Sequence, residues 1–341
     1  MQDSLSQNHS NLTLPSASAF KPRLQLITGK GGVGRTTVAI ALAQAFAKQG
    51  QKVLLLEVRD ADSELSQEQS TQRQDSMLGR SLAQGKNLMQ PFALCEQALE
   101  ISQNLWAAQL VASEGHRGFL RSIIPSDRLV KAALESKALS RFLRSAPSMH
   151  ELGIFYHLKY FEESSNFDKL VIDMPATGHT LALSQLPERI AKIIKKGQIV
   201  DALRAGMEHI TNPKYASLWI TTLSETLPIS EALEVKSALL KDGVQAAGVI
   251  CNRSLKRDLS NTEQSLFDQI LIKTLPEQLQ KSSEETLHLL NYALQGLKVD
   301  QKILTQLQSF QRLYYLPELS QAIERAEYVS KQWLNFGQSH D

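Results

Sequence analysis

The stretch that most constrains this chain is Leu24-Gln25-Leu26-Ile27-Thr28, an apolar run that passes without interruption into Gly29-Lys30-Gly31-Gly32-Val33-Gly34-Arg35-Thr36-Thr37. An Ala-rich segment with helical periodicity follows from Thr36 to Gln49 and is closed by Gly50. Strand, glycine loop and helix in that order form a phosphate cradle. Glycines let consecutive backbone N–H groups turn inward, and the helix N-terminus adds partial positive charge. The loop fits Gly-x-x-x-x-Gly-Lys-[Ser/Thr] except that Arg35 stands where the lysine belongs, and Thr36 takes the position whose hydroxyl binds Mg²⁺.

The next apolar run, Val53-Leu54-Leu55-Leu56-Glu57-Val58, is too short for a capped helix and suits a buried parallel strand ending near Arg59-Asp60. A long segment with helical periodicity then reaches to Lys169-Leu170-Val171-Ile172-Asp173, the next clear strand. Within it Ser126 is positioned as an N-cap. Leu129, Val130, Ala133, Leu134, Leu139, Phe142 and Leu143 fall on one helical face before Pro147 breaks the pattern. Ser217–Thr221 and Ala247–Asn252 read as strands around a helix from Ile229 to Lys241, and Ile270–Lys273 as a final strand. The remainder, from Ser282, reads as two or three helices, Pro317 separating Ile303–Leu313 from a stretch containing Ala322, Ala326, Val329 and Trp333. This alternation predicts an α/β fold with a mostly parallel central sheet flanked by helices, plus an inserted helical subdomain, and the glycine loop at its head makes that fold a P-loop NTPase. The expected organisation is a disordered tail over 1–21 and a P-loop domain over 22–300 with its insertion at about 75–165. A C-terminal helical extension is expected over 301–341.

Composition narrows the function. Lys plus Arg number 37 against 35 for Asp plus Glu, so neither nucleic acid nor an anionic membrane is an expected partner. Two cysteines, Cys95 and Cys251, cannot form a Cys-x-x-Cys clamp, so no zinc is expected and a reducing, cytoplasmic setting fits. No window approaches the roughly 18 apolar residues of a membrane span, and no stable membrane insertion is expected.

The loop, with Lys30 directly after its first glycine, resembles the deviant phosphate loop of the ParA/MinD/ArsA class. Asp173-Met174-Pro175-Ala176-Thr177-Gly178-His179-Thr180 resembles the switch segment of ArsA and the guided-entry ATPases that target tail-anchored proteins. Taken alone, Asp173 also fits an ordinary strand-to-helix turn. Ile124-Pro125-Ser126 and Pro147–Leu152 in the insertion are similar to bacterial ArsA-like ATPases.

The resemblance implies ATP and Mg²⁺ as cofactors. Gly29, Lys30, Gly31, Gly32, Val33, Gly34, Arg35, Thr36 and Thr37 would hold the phosphates, and Asn252, Pro276 and Glu277 the adenine side. Thr36 and, through water, Asp173 would hold the metal, with Asp173, Thr177, Gly178 and His179 as the switch. Asp60, Lys30 and Arg35 would carry catalysis: Asp60 orients water, and Lys30 reaches across a dimer to the partner's nucleotide. At Asp60 the tetrad Asp60-Ala61-Asp62-Ser63 lacks the family's Pro and His, and an Asp after a strand is otherwise a plain cap.

Arg35 departs from the pattern, since a planar guanidinium cannot simply occupy an ammonium's place. Losing one charge contact in the transition state costs about 2.7–4 kcal/mol, or roughly 10²–10³ in rate. ATP binding with slow hydrolysis is therefore expected.

Arsenite handling needs several close thiolates and is disfavoured. A homodimer handling a hydrophobic protein or membrane-associated client is one expectation. A regulatory subunit of a heterodimer with a related ATPase is another, and a ParA/MinD-like positioning ATPase a third.

Overall fold

The computed structural model describes residues 17–59, 76–85, 92, 94–146, 148–164, 166–175, 185–186, 211–254, 307, 310, 312–317, 319 and 322–334. Elements are numbered within these residues. The strands are β1 (Leu24–Gly29), β2 (Val53–Val58), β3 (Leu99–Ser102), β4 (Leu105–Leu110), β5 (Lys169–Asp173), β6 (Ala216–Leu223), β7 (Gly248–Ser254) and β8 (Leu313–Pro317). The helices are α1 (Arg35–Lys48), α2 (Met77–Gly85), α3 (Ala112–Ile123), α4 (Asp127–Glu135), α5 (Lys137–Ser145), α6 (Met149–Glu163), α7 (Thr226–Lys241) and α8 (Ala322–Val329).

The eight strands form one sheet in the order β3-β4-β2-β5-β1-β6-β7-β8, parallel throughout except for the β3–β4 edge pair. Central strands are apolar toward both faces because both are covered. One face, with Ile27, Leu55, Val171, Trp219, Ile250 and Tyr314, packs on α1, α8 and Trp333. The other, with Leu26, Leu54, Leu56, Leu170, Ile172 and Ile220, packs on α6 and α7. A smaller core of Phe119, Leu120, Val130, Leu143, Leu152 and Phe155 holds α3 to α6 together, which is the helical subdomain. Arg23, just before β1, donates to the carbonyls of Glu162, Ser164 and Phe167, so the end of α6 is fixed to the base of the sheet.

Three expectations change. Phe20 belongs to the core, not to a disordered tail. It stacks on Trp219 at 4.6 Å and on Trp333 at 5.9 Å, with Tyr314 edge-on at 5.0 Å. Lys169 Nζ donates to the carbonyls of Phe20, Lys21 and Pro22, matching an ammonium's three protons.

The segment read as a purely helical insertion contains β3 and β4, and β4 sits inside the sheet beside β2. Its sequence, Leu-Trp-Ala-Ala-Gln-Leu, has no β-branched residue, and it is the slot between β2 and β3 that makes it a strand.

The stretch around Pro317 is likewise a strand, β8, where Leu-Tyr-Tyr-Leu-Pro pairs with the β7 edge, and Pro317 falls at its last residue, where a missing N–H costs nothing in the ladder. In the subdomain, Val130 and Leu143 are buried but Leu129 and Phe142 are exposed, and Ser126 begins α4 without a side-chain capping bond. The expected strand at Ile270–Lys273 lies outside the described residues.

Candidate nucleotide site

The site forms at the carboxyl end of β1, where the sheet delivers Gly29 into the loop and the loop delivers Gly34 into α1. Gly34 is the N-cap of α1 at φ 84° and ψ 35°, no side chain caps the helix, and its first turn carries no acidic residue. A helix start that no side chain caps, with the dipole behind it, favours an anion. Val33 turns inward and is buried, anchoring the loop from below.

Three side chains complete the setting. The Thr36 hydroxyl donates to Asp173 Oδ2 at 2.6 Å, joining the first turn of α1 to the end of β5. Arg35 Nη1 donates to the Met174 carbonyl at 2.9 Å, so the guanidinium is engaged along the β5 exit. Lys30 Nζ lies 3.5 Å from Glu231 Oε1 on α7. The Lys30 side chain is about half exposed and Glu231 partly buried, so the pair is still reached by solvent and holds little energy, and Lys30 is able to exchange it for another anion.

Asn252, at the end of β7, is buried, and its Nδ2 donates to the Val33 carbonyl at 2.9 Å. Its amide lies beneath the loop and shapes it, a part that the sequence did not indicate. Asp60, Thr177, Gly178, His179, Pro276 and Glu277 lie outside the described residues.

Sequence reasoning also passed over Glu57 and Gln109. Gln109 Nε2 donates to Glu57 Oε2 at 3.1 Å, and Glu57 stands in register with Asp173 on the neighbouring strand. A single carboxylate inside an otherwise apolar strand was the available signal.

Burial pushes the Asp173 carboxyl up from 3.8 to about 6, with the Thr36 bond and the Arg35 charge opposing and the Glu57 charge adding to the rise. A carboxyl held protonated by the fold stabilises it at low pH, and that contribution is lost as pH rises through about 6. In the metal-free protein, wild type should therefore lose stability relative to Asp173→Asn between about pH 4 and pH 6, by roughly 3 kcal/mol at 1.36 kcal/mol per unit. Urea unfolding of both proteins across that range is the measurement, and a constant difference would refute it.

Hard oxygen donors at Thr36 and Asp173 suit Mg²⁺, and the uncapped α1 start with Arg35 and Lys30 suits phosphate. Among the described residues no group of three His, Cys, Asp or Glu side chains is placed to bind a metal, and no helix is long and apolar enough to cross a membrane.

A parallel sheet with a phosphate loop at its carboxyl edge and an Asp–Thr pair beside it defines a P-loop nucleotide-binding protein. The sequence profile of the anion-transporting ATPases matches residues 22–203. The chain belongs to this ArsA ATPase family. It is similar to the ATPase BagA of Mycobacterium tuberculosis (strain ATCC 25618 / H37Rv), with 27% identity over 70% of this chain and 66% of that one. It is also similar to the ATPase GET3C of Arabidopsis thaliana, with 26% identity over 72% and 70%, and to the arsenical pump-driving ATPase of Acidiphilium multivorum, with 25% over 74% and 38%. The chain thus spans 66% of the length of BagA.

Proposed function

We propose that this chain is an ATPase that binds ATP with Mg²⁺ between two such subunits and uses binding and slow hydrolysis to change conformation around a protein or membrane-associated client in the cytoplasm. The observation that carries the reading is the uncapped α1 N-terminus beside the Thr36–Asp173 hydrogen bond. Gly29 to Thr37 would receive the phosphates on backbone N–H groups, Thr36 would ligate the ion through its hydroxyl, and Asp173 would hold one of the ion's waters. Bound Mg²⁺ would supply charge neutralisation between the phosphates. Asp60 would orient the attacking water, and Thr177, Gly178 and His179 would relay loss of the terminal phosphate. Lys30 would leave Glu231 for the partner subunit's nucleotide as the dimer closes.

Arg35 favours slow chemistry, because part of its guanidinium is bonded to the Met174 carbonyl. The same observation supports a second reading, a regulatory subunit paired with a related ATPase that has lysine at this position. Arsenite remains disfavoured, since Cys251 is buried against Ser224 Oγ at 3.1 Å while Cys95 is partly exposed elsewhere.

Size-exclusion chromatography with and without a non-hydrolysable ATP analogue, followed by mass spectrometry, tests the reading. A nucleotide-dependent homodimer is expected, co-elution of an ArsA-like partner selects the second reading, and absence of nucleotide binding overturns both. In single-turnover assays Arg35→Lys should hydrolyse ATP faster by roughly 10²-fold. An unchanged rate would refute the slowed site.

A further inference from the structure

We infer that Glu57 is a positioning residue that couples the cation side of the nucleotide site to the head of α2. The inference rests on the nucleotide reading above and concerns a residue which that reading does not use.

Glu57 is the penultimate residue of β2, near the carboxyl edge of the sheet, and register places it between Gln109 on β4 and Asp173 on β5. Alternation along parallel strands turns all three toward the α1 face, the one occupied by Leu55, Ala107 and Val171 two residues earlier. The polar row therefore runs Gln109, Glu57, Asp173, Thr36 across three strands and onto α1, with the bonds Gln109 to Glu57 at 3.1 Å and Thr36 to Asp173 at 2.6 Å.

The other oxygen of Glu57 leaves the sheet. Oε1 accepts from the Leu78 backbone N–H at 3.1 Å, in the first turn of α2, while Ser76 Oγ accepts from Gly79 N–H at 2.6 Å. A strand carboxylate and a serine thus share the capping of one helix, and the carboxylate meets the positive end of its dipole. Leu78 and Leu82 fix α2 in the same core as α1, so the helix has little freedom to drift from Glu57.

One negative charge consequently serves two positive ends: the start of α2, and the position where a divalent ion would meet Thr36 and Asp173. A cation arriving there draws on the charge that caps α2, and conversely the Glu57 charge favours the cation. A purely structural strand residue would do neither.

The variants Glu57→Gln and Glu57→Ala separate these roles. Glutamine keeps an acceptor for Leu78 and, with the Gln109 amide turned over, a bond to β4, but removes the charge. Binding of a fluorescent non-hydrolysable ATP analogue is measured over a Mg²⁺ titration and again in EDTA, with hydrogen exchange followed over residues 76–85. In Glu57→Gln the Mg²⁺ concentration for half-maximal binding should rise roughly 5–20-fold, the effect of one charge within one to two strand spacings of a divalent ion at water-like screening. Binding in EDTA should be unchanged or tighter, since an anion alone gains from the loss of a negative neighbour. In wild type Mg²⁺ with the analogue should alter exchange at the Leu78 amide, and in Glu57→Ala that response should vanish.

An unchanged Mg²⁺ dependence in Glu57→Gln, equal weakening with and without Mg²⁺, or a wild-type α2 indifferent to Mg²⁺ would each overturn the coupling while leaving the nucleotide reading standing. Failure of wild type to bind the analogue at all would overturn both.

Discussion

Gly34→Ala is expected to abolish high-affinity nucleotide binding while the sheet stays folded. Gly34 sits at φ 84°, where an L side chain is strained, and a Cβ there would lie 2.1 Å from Asn252 Nδ2. That amide is not a flexible chain end free to move aside, because it is buried and bonded to the Val33 carbonyl. Left-handed strain of about 1–2 kcal/mol and overpacking of about 1–3 kcal/mol both fall on the loop whose backbone N–H groups would receive phosphate. Together they predict affinity lowered by roughly 10²-fold or more. Adding Asn252→Ala to Gly34→Ala removes the clash but also the bond beneath Val33, and it leaves the backbone strain, so it should recover little or none of the loss. Fluorescent-nucleotide titration of both variants is the measurement, and wild-type affinity in Gly34→Ala would refute the account.

Gly115→Val is expected to give the largest loss of stability, and in the helical subdomain, away from the loop. At the α3–α6 crossing, a Cβ on Gly115 would fall 1.6 Å from the Gly153 carbonyl oxygen, and one on Gly153 2.4 Å from the Ala112 carbonyl oxygen. These are backbone contacts, so the helices would have to separate. Separation would break two bonds that depend on their approach, Val111 N–H to His157 Nδ1 at 3.0 Å and the contact of His116 Nε2 with the Met149 carbonyl at 2.7 Å.

A cost at or above the upper end of overpacking, about 3 kcal/mol, corresponds to a melting temperature lower by roughly 4–5 °C or more for a domain of this size. Gly118→Ala is the control on the same helix. Its Cβ would meet only Tyr156 Cδ1, at an ordinary 3.9 Å, so helix propensity should leave it neutral or slightly stabilised. Thermal unfolding followed by circular dichroism compares the pair, and equal melting temperatures would refute the crossing argument.

The two glycines also mark how far local reading reaches. Gly34 was legible because the phosphate loop is a local motif, set by glycines, Thr36 and the apolar strand before them within one short stretch. Gly115 was not, since nothing in Ser-Glu-Gly-His reveals that another glycine in α6 will press against it. The same division separates Asp173, visible at a strand end beside a family motif, from Glu57, whose partners Leu78 and Gln109 lie 21 and 52 residues away. Asn252 was visible as a strand end, but its bond beneath Val33 spans 219 residues.

By itself the sequence determined the phosphate loop, β1, β2, β5, the parallel α/β class and the family, because short-range periodicity and contiguous motifs encode them. Only the tertiary structure decided that β4 and β8 are strands, that Phe20 is core, that Lys30 rests on Glu231, and that Glu57 stands next to Asp173. The physical reason is that a strand's identity and a polar side chain's partner depend on neighbours brought together by the fold. An Ala-rich or aromatic segment is ambiguous until a sheet edge or slot receives it.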